Sequence, residues 1–164
     1  MKLMTKLFFV TSLLIIPAMG WASFEGSWMG VGYSEDSNSK QKLCPAIFLA
    51  IEQTAGSLKI ERSDVGCAQT ASMLLPGDLE VEGSRIYFLG SEVGFIMEDV
   101  IYVSLPLYWR DSGEWGTLKY SLTLQEDDEG RSLMFQESQH RSSGETELTL
   151  NAFFESTLET TEED

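Results

Sequence analysis

"FEGSWMGVGY", residues 24–33, is the stretch that decides the fold. At the period of two that a strand imposes, Trp28, Gly30 and Gly32 share one face, while Met29, Val31 and Tyr33 share the other. Glycines in step on one face permit sharp curvature or the close approach of another chain. The stretch predicts a bent first strand with a tryptophan to bury.

Downstream, the same period recurs to the end of the chain, broken by short turn signals. "DLEVEGSRIYFLGSEVGFIMEDVIYVSL" divides into short strands, with turns at Gly83-Ser84, around Gly90-Ser91 and at Glu98-Asp99. In "GTLKYSLTLQ", Leu118, Tyr120, Leu122 and Leu124 alternate with polar residues. "EDDEG" and "RSSG" are turns, "RSLMFQESQH" and "ETELTLNAFFE" strands. The expectation is an all-β domain over residues 23–155: an antiparallel up-and-down meander of eight to ten strands closing into a barrel. Hairpin-short connections favour a barrel over a sandwich, which needs crossovers. Residues 156–164 belong to an acidic tail expected to be disordered.

Upstream, residues 1–22 read as a signal peptide. Lys2 and Lys6 precede an apolar run from Leu7 to Met19, with small residues at Ala18, Gly20 and Ala22. The run is short for a membrane span. Cleavage fits after Ala22 and also after Gly20. The expected location is periplasmic or secreted. Without its leader, the chain sets nine bases against 26 acids, a charge of −17. Such a chain repels nucleic acid and anionic membrane surfaces and attracts basic partners.

Export places Cys44 and Cys67 where disulfides persist. The segment between them reads as a hairpin turning at "TAGS". If the turn is centred between Ala55 and Gly56, Ile51 faces Ile60, Glu52 faces Lys59 and Cys44 faces Cys67. One register that pairs apolar with apolar, acid with base and thiol with thiol predicts a cross-strand bridge.

Catalytic arrangements lack their parts, and no cofactor is expected. His140 is the only histidine, and no Gly-x-Ser-x-Gly elbow accompanies it. A His/Cys metal site lacks ligands once the thiols are bridged. "EDDEG" clusters four carboxylates without the alternating pattern of a calcium loop. The segment that stands out is "IYVSLPLYWRDSGEWGTLKY", residues 101–120. Its alternation falters between Leu105 and Gly116, which suggests a long aromatic connection. Tyr102, Tyr108, Trp109 and Trp115 would there line a ligand site at a barrel mouth, or else plug the barrel end.

Phe24-Glu25-Gly26-Ser27-Trp28 resembles the Gly-x-Trp motif that opens the first strand of the calycin group: lipocalins, fatty-acid-binding proteins and avidins. The resemblance implies a lipocalin-like barrel holding a small apolar molecule. Gly26 would let the chain enter tightly, and Trp28 would close one end, covered by Arg131 or Arg141. A different function comes from charge, size and compartment. Small acidic disulfide-stapled periplasmic barrels inhibit lysozyme, and this chain is similar in those respects, although "SGEW" at Ser112 lacks that family's tyrosine and downstream lysine. Two functions therefore stand: an exported barrel with a small apolar ligand, or an acidic interaction protein that binds a basic partner such as a lysozyme-like enzyme.

Overall fold

The structure is a computed structural model. It describes residues 22–65, 67, 78–110, 112–128 and 130–156. The leader up to residue 21 and the tail from residue 157 lie outside the described residues.

Ten strands follow one another: β1 (Gly26–Asp36), β2 (Gln41–Gln53), β3 (Ser57–Val65), β4 (Leu79–Glu82), β5 (Arg85–Phe88), β6 (Ser91–Met97), β7 (Val100–Trp109), β8 (Glu114–Asp127), β9 (Gly130–Arg141) and β10 (Thr146–Ser156). Each pairs antiparallel with its sequence neighbours, and β1 pairs with β10, so the meander closes into a barrel. Closure gives every strand a neighbour on both sides, although β3 meets β4 only at Ser57 and Leu58, and β7 meets β6 only from Val100 to Val103. It also allows β4 and β5, four residues each, to be held by neighbours on both sides.

The glycines of β1 lie at the closing seam. A methyl group built at Gly30 would sit 2.0 Å from the Phe153 carbonyl oxygen of β10. Only a residue without a side chain lets the two strands come that close. The β1–β2 ladder also shifts register between Gly30 and Gly32, a bulge that adds bend.

The cystine hairpin has the register expected from sequence, with Ile51 opposite Ile60 and Glu52 opposite Lys59. Cys44 and Cys67 are bonded, their Cα atoms 4.5 Å apart. In the chain-entropy model a closed loop of this length contributes about 3 kcal/mol. The double variant Cys44→Ser/Cys67→Ser is expected to lose about that much stability in a urea titration. A loss below about 1 kcal/mol would show that the reduced hairpin is already held by its register.

Alternation sends one set of side chains into the lumen. Phe24, Trp28, Ile51, Leu58, Ile86, Ile96, Ile101 and Leu133 fill the end where β1 begins, here the floor. Val103, Leu122, Phe135 and Phe154 fill the middle. The floor and middle of the lumen are therefore an apolar core, unlike the polar lumen of porin-type barrels. The opposite end, the mouth, carries the β1–β2, β5–β6, β7–β8 and β9–β10 connections.

The connection expected to be long is short. β7 runs on to Trp109 and β8 starts at Glu114, with Tyr108 opposite Trp115. Aromatic residues occupy both faces here, which hides the period of two that the backbone keeps.

Candidate functional site

At the floor, Trp28 is 1% exposed and its indole Nε1 donates to the Phe24 carbonyl at 3.1 Å. The guanidinium of Arg131, at the start of β9, lies 5.4 Å from the ring centroid. The same guanidinium donates to the Ser23 carbonyl. Gln53 Oε1 accepts the Phe24 N–H at 2.8 Å, so the N-terminal segment is tied across the opening. Arg141 is at the other end of the barrel.

Above the apolar middle lies an ionic cross-brace. Arg62 of β3 donates through Nη1 to Glu137 Oε2 of β9, on the opposite wall. Gln139 donates to the other carboxylate oxygen at 3.1 Å. Both charged side chains have no accessible surface, and the guanidinium lies 5.7 Å from the Phe135 centroid. Tyr120 is buried beside Glu137; burial raises its phenol above the ordinary range, and the carboxylate adds to the rise. A lumen side chain with no accessible surface touches no void wide enough for water. From Trp28 up to Glu137, the described lumen side chains are buried against one another.

The four aromatic residues singled out from sequence are not brought together. Tyr102 lies on the outer wall, stacked on Phe95 with centroids 5.5 Å apart. Tyr108 and Trp115 form an exposed pair on the outside, centroids 4.9 Å apart. Trp109 turns inward at the mouth and covers Gly116, where an added methyl would meet its ring at 2.3 Å. Arg141 closes that stack from above, 5.5 Å from the Trp109 centroid. Arg141 also bonds Glu114, and its Nε donates to Glu147 at 2.8 Å. This bonding holds the Glu147 carboxyl below its ordinary range and raises the guanidinium. His140 is half-buried, its ring nitrogens engaged by the Ser138 and Thr146 hydroxyls.

The outer wall carries what sequence reading did not locate. Met29, Val31 and Tyr33 point outward from β1, each at least half exposed. The ladders set Phe48 beside Met29, Leu43 beside Tyr33, and Phe153 beside Val31. Met134 continues the row from Phe153 on β9. Together they make one apolar face over β2, β1, β10 and β9, and among the described residues a carboxylate enters it only at its edge, where Glu155 of β10 stands opposite Met29. Contiguous exposed apolar surface of this kind is uncommon unless something covers it. Glu35, Glu52 and Glu155 border the face, and the floor adds exposed Glu25, Glu98, Asp99 and Glu126 to Asp128. Lys40, Lys42, Arg110 and Arg141 sit at the mouth, and at the floor the acids outnumber Lys59, Arg85 and Arg131. Where the apolar face meets the floor, a hollow of about 320 Å³ is lined by Phe153, Asp127, Glu155 and Arg131. A second hollow, about 360 Å³, crosses β7 to β10 on the outer wall.

Comparison with family profiles, curated proteins and solved structures found no match. The closed antiparallel barrel is compatible with a calycin-like architecture.

Proposed function

We propose that this chain is an exported, non-enzymatic barrel that binds a basic protein through the outside of its wall. The observation that carries this reading is the apolar face, edged by Glu155 beside Met29, running into an acid-bordered floor. Interfaces take their energy from an uncharged centre and their orientation and encounter rate from a charged rim. The hollow beside Phe153 offers an aromatic surface and the Glu155 carboxylate to a lysine or arginine side chain of the partner, on the side away from Arg131. Kinship with the calycin group is supported by Trp28 under the Arg131 guanidinium at the floor. The small apolar ligand implied by that kinship finds less support, because the described lumen side chains are buried against one another.

A basic lysozyme is a suitable probe for calorimetry. Micromolar binding is expected, weakening about tenfold between low and moderate salt as the rim is screened. The variant Val31→Ser/Phe153→Ser, altered only on the outer face, should bind about tenfold more weakly. Unchanged binding by that variant, or no binding at all, overturns the proposal. Dimers of the wild type that the variant abolishes would assign the face to a second copy.

A further inference from the structure

The hollow across β7 to β10 is chemically unlike the rest of the surface. The register sets Tyr102, Ser121, Gln136 and Asn151 side by side across four adjacent strands. Lys119 lies one step along β8 and also lines the hollow. Strands are spaced about 4.8 Å apart, so the row spans about 14 Å, the length of a short oligosaccharide. Gln136 donates to Asn151 Oδ1 at 3.3 Å, and this bond pre-orients the two amides. The free carbonyl of Gln136 and amino group of Asn151 remain available. Among the described residues no carboxylate side chain points into the row; Glu137 borders the hollow but turns its charge into the lumen towards Arg62.

We propose that this row is a binding site for a neutral saccharide. Sugar hydroxyls both donate and accept, and the side-chain amides and hydroxyls of Gln136, Asn151 and Ser121 do the same. Lys119 adds donors for hydroxyl or ring oxygens. Tyr102, backed by Phe95, supplies an aromatic surface for the apolar face of a sugar ring. Other classes fit less well. An extended peptide needs a free strand edge, and β8 and β9 are paired on both sides. Nucleic acid and polyanionic glycans meet a strongly negative chain. A lipid chain would leave the amides without partners.

The test is a nuclear magnetic resonance titration of the labelled full-length mature protein with cellotetraose and, separately, with the tetramer of N-acetylglucosamine. Saturable shifts at the Ser121, Gln136 and Asn151 amides are expected with at least one of them, with Kd of about 0.1–10 mM. The two arms separate a plain glucan from an amino-sugar glycan. Gln136→Ala and Tyr102→Ala, both on the outer wall, should each weaken binding about tenfold. No saturable shift with either sugar, shifts unaltered by both variants, or preference for tetragalacturonate over both overturns the proposal. The lysozyme probe reads the adjoining apolar face through different residues, so either site can fail alone.

Discussion

Glu137→Ala is expected to lower unfolding free energy by about 3–5 kcal/mol, because it removes the carboxylate that meets the buried Arg62 charge across the lumen. Arg62 and Glu137 sit on opposite walls, 75 residues apart in sequence, with no accessible surface on either side chain. Their Coulombic attraction is offset by the cost of removing both from water, so the intact pair contributes far less than its rupture costs. The double variant Arg62→Met/Glu137→Leu should therefore recover most of the loss, to within about 1–2 kcal/mol of the parent. Urea unfolding followed by tryptophan fluorescence checks both values. A Glu137→Ala loss under about 1 kcal/mol would mean that water or a rearranged neighbour takes over the carboxylate's role. Glu137→Gln separates charge from hydrogen bonding: it can still accept from Gln139 but cannot neutralise Arg62, and should fall near the alanine variant.

Trp28→Ala should cost a comparable amount, about 3–5 kcal/mol, by opening a cavity at the floor that the surrounding strands cannot close. The indole is almost wholly buried and carries the Arg131 guanidinium on its face. Arg131→Met tests the cover alone: it keeps apolar bulk, removes the cation and its bond to the Ser23 carbonyl, and should cost about 1–2 kcal/mol. The two measurements together show whether the floor is held by packing or by charge. Equal losses from both variants would sink the view that the indole is the principal plug.

The strand pattern, the number of strands within its range and the cystine pairing were legible because each rests on local periodicity. Side chains two apart share a face, and a turn centred at "TAGS" makes every cross-strand pair obey one sum. The mouth hairpin was less legible. Tyr108 and Trp115 point out while Trp109 points in, and Gly116 gives no hydropathy signal, so a regular ladder looked like a loop.

The lumen brace was visible in outline. In "LMFQESQH", Glu137 is in step with Leu133 and Phe135, a charge on the core face. What the pattern could not supply was its partner. Arg62 lies on a strand that shares no ladder with β9, and the two meet only because the barrel has closed. The outer faces follow the same logic. Sequence by itself determined that Met29, Val31 and Tyr33 oppose Trp28, Gly30 and Gly32, since alternation is a property of one strand. Only the tertiary structure decided that the first set joins Phe48, Phe153 and Met134 in one apolar face, and that Tyr102, Ser121, Gln136 and Asn151 form a polar row beyond it. Those neighbours come from distant parts of the chain, and their juxtaposition depends on register across the closed sheet, which no single segment encodes.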